Sequence, residues 1–202
     1  MSSSTWIVVL IKDFGAAKTR LASVLAPEAR RTLAVANARR ALDSAMQVAP
    51  SLAVCGSMEA GETATACGAE VIVEGSPRGQ NAAASLGLAA TASRGGDAAL
   101  ILSSDLPLVD AAALDELLAR AAAVAGPLAV AAAALGRHGT NALYLRPLSD
   151  FELQFGDQSL WRFAAEARRR GRAFIVHDDR RLALDIDEPS DVVMWEQLRE
   201  TA

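Results

Sequence analysis

Short, unbroken apolar runs alternate along this chain with longer, alanine-rich stretches bounded by proline, glycine or capping residues. Residues 6–11, 52–55, 71–73, 98–102 and 128–133 are apolar throughout. Runs this short and continuous read as strands buried on both faces. The stretches between them predict helices over 27–47, 59–67, 81–93 and 111–124. Pro27 suits a first helical turn, Gly68 and Gly95-Gly96 suit helix ends, and Asp110 suits an N-cap. Beyond these, 142–145, 173–176 and 182–184 read as short strands. Asp157 is expected to cap a helix over 158–170, and Glu188-Pro189 to open a last helix to about Arg199. Strand and helix alternating in this way favour a mainly parallel sheet with helices on both faces, a three-layer α/β/α Rossmann-like architecture. Residues 135–180 break the rhythm and are expected to form a lid-like insertion over the C-terminal edge of the sheet.

At 202 residues the chain fits one domain, 1–202, with a sizeable core. Twenty basic residues against 24 acidic ones give a formal charge of -4, which suits a soluble protein and argues against a general nucleic-acid binder. Arg168, Arg169, Arg170 and Arg172 read as solvated charge at a helix end. No charge-free apolar stretch is long enough to span a bilayer, because Gly126 and Pro127 break the apolar 121–134 segment. Nor does a basic-then-apolar leader open the chain, so a cytoplasmic protein without membrane partners is expected. Cys55 and Cys67 lack metal-ligand spacing and read as reduced thiols. Alanine-rich helices suit either a homodimer or packing on the sheet.

The candidate chemistry sits where strands end. Ligands in open α/β sheets bind beyond the C-terminal strand ends, and four segments fall there: 12–20, 75–81, 103–108 and 185–188. Asp105 follows strand 98–102, while Asp185 and Asp187 follow 182–184. Carboxylates are costly to bury unpaired, and several at strand ends suit a hard cation such as Mg²⁺, which takes oxygen ligands and substrate phosphates. Two of them also have a plain role open to them, Asp105 in capping or turn formation and Asp187 as a helix cap. The 12–20 loop supplies Lys12, Lys18 and Arg20, which suit phosphate oxygens, although Arg20 has the alternative of pairing with a nearby acid. This loop has neither dinucleotide-binding nor Walker glycine spacing. Gln80 and Asn81 stand at a helix start, where Asn81 either caps the helix or bonds a base or ribose. Ser104 lies beside Asp105. On the acceptor side, Thr140 and Asn141 end a polar turn that also holds Arg137 and His138. Gly156 and Ser159 precede a helix whose exposed amides suit phosphate or carboxylate. His177 reads as a surface or strand-end residue, and no Ser-His-Asp or Cys-His arrangement is evident.

These loops together resemble the 2-phospho-L-lactate guanylyltransferases of coenzyme F420 biosynthesis. The resemblance covers nearly the whole chain. It is carried by Lys12…Ala17-Lys18-Thr19-Arg20-Leu21, Gly79-Gln80-Asn81-Ala82-Ala83, Ser104-Asp105-Leu106-Pro107-Leu108, Gly139-Thr140-Asn141-Ala142-Leu143, Phe155-Gly156…Ser159 and 182–189. It implies a nucleotide-diphospho-sugar transferase-like fold and a metal held by Asp105, Asp185 and Asp187. It further implies Gln80 and Asn81 near the guanosine, and Thr140, Asn141, Gly156 and Ser159 near a phosphorylated three-carbon acid. The chain departs from the family pattern at Leu10 and Asp13, where Pro is common, and in the 134–141 turn, which lacks an acid and a glycine. The implied reaction is Mg²⁺-dependent guanylyl transfer from GTP to 2-phospho-L-lactate, phosphoenolpyruvate or a phosphoglycerate. Alternatives are a nucleotidyltransferase of the same fold with another small acceptor, a sugar transferase, or a nucleotide-sensing domain without catalysis.

Overall fold

A computed structural model of the chain describes residues 4–15, 18–136 and 138–200. Ala16 and Ala17 of the basic loop and Arg137 of the acceptor turn lie outside the described residues. A seven-stranded sheet forms the middle layer. Its strands are β1 (Thr5–Ile11), β2 (Ser51–Cys55), β3 (Glu70–Val73), β4 (Ala98–Ser103), β5 (Leu128–Ala133), β6 (Thr140–Arg146) and β7 (Ala173–His177). They lie in the order β3-β2-β1-β4-β6-β5-β7. β6 runs antiparallel to its neighbours β4 and β5, whereas β5 and β7 are parallel.

The helices are α1 (Pro27–Val48), α2 (Met58–Ala66), α3 (Gln80–Ser93), α4 (Ala111–Ala122), α5 (Ser159–Arg169), α6 (Arg180–Ala183) and α7 (Pro189–Glu200). Alternate residues of β1 serve the two faces of the sheet, as the strand period of two requires. Ile7, Val9 and Ile11 pack with α1, α2 and α4. Val8 and Leu10 pack with α3 and α5. Small residues let α3 lie close to the sheet: a Cβ on Gly87 would stand 2.3 Å from Val8 Cγ1. The strand order turns back at β1, with β2 and β3 on one side and β4 on the other. That reversal leaves a crevice outside the carboxyl ends of β1 and β4.

The structure corrects several expectations. Residues 135–180 do not stand apart as a lid, since they supply β6 and β7 to the sheet itself. The 147–158 connection lies at its margin. Residues 182–184 are not a strand: Arg180–Ala183 forms one helical turn capped by Asp179, which accepts from Arg181 N–H. Leu182 still reaches the core, and the Leu182 and Ala183 carbonyls accept from the Asn141 side chain, with no strand ladder needed. Asp157 does not cap α5, because the chain enters this helix through Gly156 (φ 120) and Gln158 (φ 55), and Gln158 holds the cap position. Asp110 does cap α4, accepting from Ala113 N–H at 2.8 Å. Arg172 is buried, donating to the Pro147 and Ser149 carbonyls, and Arg169 and Arg170 both clamp Glu166. No helix among the described residues is long and apolar enough to cross a membrane.

Candidate active site

Two distant segments are stitched together at the carboxyl end of β4. Ile186 N–H donates to the Asp105 carbonyl at 3.3 Å, and Asn37 Nδ2 reaches the same carbonyl at 3.5 Å. This backbone contact brings Asp105 to the sequence-distant pair Asp185 and Asp187. Asp105, Asp185 and Asp187 each offer a carboxylate oxygen, all within 4.8 Å of one another. Asp185 is 9% exposed, and Asn141 Nδ2 lies 3.5 Å from its Oδ1. Asp191 accepts from the N–H groups of Asp187 and Glu188 at the start of α7. The carboxylate end of a capping box therefore belongs to Asp191.

Lys18 enters this cluster from the basic loop. Its φ of 56 places it in the left-handed region, and its Nζ donates to the Ile186 carbonyl at 2.5 Å. The same ammonium lies 3.9 Å from Asp105 and 3.7 Å from Asp187, with the side chain only 4% exposed. Three carboxylates against one ammonium leave two negative charges, the charge of one divalent cation. An all-oxygen, carboxylate-rich donor set is what Mg²⁺ prefers, so these residues fit the metal that the sequence suggested. Arg20, mostly exposed, pairs with Glu188 at 3.5 Å and ties the loop to the start of α7. Asp13 accepts from Gly15 N–H at 3.2 Å. It thus supplies the local turn where the family pattern has Pro.

From this corner a cleft of about 360 Å³ extends across the ends of β1, β2 and β3. Lys12, Lys18, Arg20, Ser104, Asp105 and Asp187 line one part of it, and Pro77, Gly79 and Gln80 another. Gly79 (φ 93) is the N-cap of α3, so Asn81 is not the cap. Its amide instead exchanges two hydrogen bonds with Phe155, accepting from Phe155 N–H at 2.7 Å and donating to Phe155 O at 3.4 Å. Asn81 therefore fastens the start of α3 to the 147–158 connection. Thr140 and Ser159 are buried and bonded to each other, Ser159 Oγ donating to Thr140 Oγ1 at 3.0 Å. Asn141 is buried beneath Asp185, and Gly156 is exposed. His138 lies beside the exposed Trp161, ring centroids 6.2 Å apart. His177 ends β7 but is buried, and burial holds its pKa below the ordinary value.

Sequence reasoning missed three parts of this arrangement. Phe14 is buried against the cleft, the Ile186 carbonyl anchors Lys18, and Glu74 lines the cleft at the end of β3. For Glu74 a signal existed, an acid directly after an apolar run, the same pattern that drew attention to Asp105. Burial, and then the nearby Glu74 charge, push the Cys55 thiol up to about 12, so this cysteine is an inert core residue.

Comparison with known proteins gives this geometry a context. The family described as "Guanylyl transferase CofC like" matches residues 5–196. The chain belongs to this family. Among CofC-like relatives, a phosphoenolpyruvate guanylyltransferase of Sphaerobacter thermophilus is 37% identical over 194 residues, covering 94% of this chain and 91% of its own. A 3-phospho-D-glycerate guanylyltransferase of Phenylobacterium zucineum is 36% identical over 185 residues, covering 88% of this chain and 83% of its own. A nucleotidyl transferase from Methanothermobacter thermautotrophicus shares the fold. Its TM-score is 0.67 at 18% identity, over 98% of this chain and 99% of that one. The mixed, mostly parallel sheet between helical layers is thus the nucleotide-diphospho-sugar transferase-like fold that the CofC-like loops suggested.

Proposed function

We propose that this CofC-like chain transfers the guanylyl group of GTP to the phosphate of a phosphorylated three-carbon acid, as in coenzyme F420 biosynthesis. The observation that carries the reading is the acid triad with Lys18 set into it, at one end of a cleft lined by Lys12 and Arg20. An oxygen of the acceptor phosphate attacks the α-phosphorus of GTP in line. The bond from that phosphorus to the α–β bridging oxygen breaks, and pyrophosphate leaves with the electron pair. An ionised phosphate is already a nucleophile, so no serine or histidine base is required. Rate then rests on alignment and on charge stabilisation.

Asp105, Asp185 and Asp187 would hold Mg²⁺, which when bound neutralises phosphate oxygens. Lys18 meets the leaving pyrophosphate, helped by Lys12 and Arg20. Gln80, Ser104 and the start of α3 hold the nucleoside, and Asn81 positions that start through Phe155. The acceptor is assigned to the margin formed by exposed Gly156 and the first turn of α5. Thr140, Asn141 and Ser159 support this margin from beneath. Phosphoenolpyruvate, 2-phospho-L-lactate and 3-phosphoglycerate are the acceptors to test.

The experiment is pyrophosphate release from GTP and Mg²⁺ with each acid separately, in the wild type and in Asp105→Asn. Release is expected with one acid, and Asp105→Asn should lose about 100-fold or more in turnover while keeping its circular dichroism. Full activity in that variant, or silence with all three acids, would refute the assignment.

A further inference from the structure

A second, isolated carboxylate stands at the far end of the cleft from the metal acids. Glu74 leaves β3 directly, its N–H bonded to the Cys55 carbonyl at 2.9 Å, and it lines the cleft with Pro77, Gly79 and Gln80. It is half-buried, and its carboxylate has no hydrogen-bond or ion-pair partner among the described residues. Both oxygens of such a carboxylate are open to donors from a ligand in the cleft.

Position says which part of the ligand that is. Strands β3, β2, β1 and β4 are consecutive neighbours. Three inter-strand spacings put the end of β3 roughly 14 Å from the end of β4, about the reach of a nucleoside monophosphate. With the α-phosphate beside Asp105, the base arrives at Glu74. Between the two ends the cleft is lined by apolar Leu10, Val54 and Ala83, suited to the flat face of a ring.

We propose that Glu74 reads the base of the nucleotide by accepting two hydrogen bonds from guanine, one from N1–H and one from the 2-amino group. This rests on the GTP reading above and goes beyond it by naming the selecting residue. An ionised carboxylate only accepts, and bonds to it are charge-assisted. Guanine presents two adjacent donors on that edge. Adenine and cytosine present one amino donor beside a bare ring nitrogen, and uracil presents one N–H between two carbonyls. Each of these sets a lone pair against a Glu74 oxygen and leaves a desolvated acceptor unpaired.

The test is calorimetric binding of GTP, ITP and ATP with Mg²⁺ to the wild type, Glu74→Gln and Glu74→Asp, without acceptor. ITP keeps N1–H and lacks the 2-amino group. The wild type should bind GTP about 10-fold or more tighter than ITP, and ATP more weakly still. In Glu74→Gln the side-chain oxygen still accepts from N1–H, but its NH₂ faces the 2-amino donor. GTP should therefore weaken by about 10- to 100-fold while ITP changes little, and the GTP/ITP ratio should fall towards one. Glu74→Asp keeps two acceptors on a shorter arm, so it should bind GTP more weakly and retain the preference, which serves if the Gln variant does not fold. An unchanged GTP/ITP ratio in Glu74→Gln would overturn the proposal. So would a wild type with no preference for GTP, and that result would also remove the GTP reading. A wild type that prefers GTP yet releases no pyrophosphate with any of the acids would sink the acceptor assignment and leave Glu74 standing.

Discussion

Replacing Lys18 by Met should tighten the binding of Mg²⁺ to the nucleotide-free protein even as it damages catalysis. Met keeps the unbranched length of the side chain and removes its charge. In the structure the ammonium lies 3.9 and 3.7 Å from two of the three acids. A unit-charge pair about 4 Å apart is worth about 4 kcal/mol at an effective dielectric near 20. The desolvation of a nearly buried ammonium opposes two such attractions. A divalent cation entering the same acids must share them with this charge or displace it. A net penalty of about 1.4 to 2.8 kcal/mol corresponds to a tenfold to hundredfold weaker metal affinity in the wild type. Titrating Mg²⁺ into both proteins by calorimetry, without GTP, measures it directly. Turnover with GTP should fall in the same variant, because the charge that meets the leaving pyrophosphate is gone. Equal or weaker Mg²⁺ binding in Lys18→Met would refute the reasoning, since it would mean that the ammonium does not compete for the acids.

Asn141→Ala removes the side-chain donor to the Leu182 carbonyl and one of the two donors to the Ala183 carbonyl, which keeps Leu135 N–H. It should cost about 1–3 kcal/mol in urea unfolding, with weaker Mg²⁺ binding because Asp185 loses its neighbour. An unchanged urea midpoint would count against this role. Gly87→Ala puts a Cβ 2.3 Å from Val8 Cγ1 and 3.3 Å from Val54 Cγ2. It should destabilise by about 1–3 kcal/mol, seen as a lower thermal midpoint. His177 is held neutral by burial, partly opposed by Asp179. Its folded pKa is depressed, so the stability it contributes is present above the ordinary value of 6.5 and is lost as pH falls below it towards the folded pKa. Urea midpoints against pH should therefore slope less over that window in His177→Leu than in the wild type. Glu166 titrates lower. Burial raises its pKa, but hydrogen bonds from Arg169, the Glu152 N–H and Arg170 outweigh this and bring it to about 2. Its contribution is present above the ordinary 4.5 and lost as pH falls towards about 2, so Glu166→Gln should flatten acid unfolding there.

The strands of the first half were legible because each is a short apolar run closed by a loop, and helices α1 to α4 because proline, glycine or Asp110 marks their ends. Legibility failed where a local pattern had two solutions. Leu182-Ala183-Leu184 is apolar enough for a strand, but Asp179 caps a single helical turn over Arg180–Ala183, and the distant Asn141 takes the Leu182 and Ala183 carbonyls. The 135–180 region looked like an addition because its spacing departs from the alternation. Only the sheet order shows β6 threaded between β4 and β5. At the site, residue types identified the metal acids but not how they meet, which depends on one backbone bond between Ile186 and Asp105. Asn81 shows the converse, since its type suits a cap or a base and neither use is visible from sequence beside the real partner, Phe155.

A cleft for two polyanionic substrates that is itself lined with acids is an electrostatic contradiction unless a cation belongs to it. The acids cannot bind phosphate; they can only bind what binds phosphate. Before a metal arrives, three carboxylates this close would repel one another and spread the 185–187 segment away from Asp105. Lys18 limits that repulsion from within, held in place by the Ile186 carbonyl between the acids. The left-handed backbone at Lys18, uncommon for a residue with a side chain, is the conformation in which its ammonium reaches this point. The same residue thus serves the protein in two states: as the internal counter-charge that keeps the acids gathered, and, once a divalent cation holds them, as a positive charge released towards the phosphates. That exchange predicts that Lys18 Nζ, 4% exposed with its side chain in the acids, becomes more reactive to amine acylation when Mg²⁺ is added without nucleotide, and protected again when GTP follows. No change in its labelling on adding Mg²⁺ would mean that the lysine and the metal share the acids at once, and the exchange would have to be abandoned.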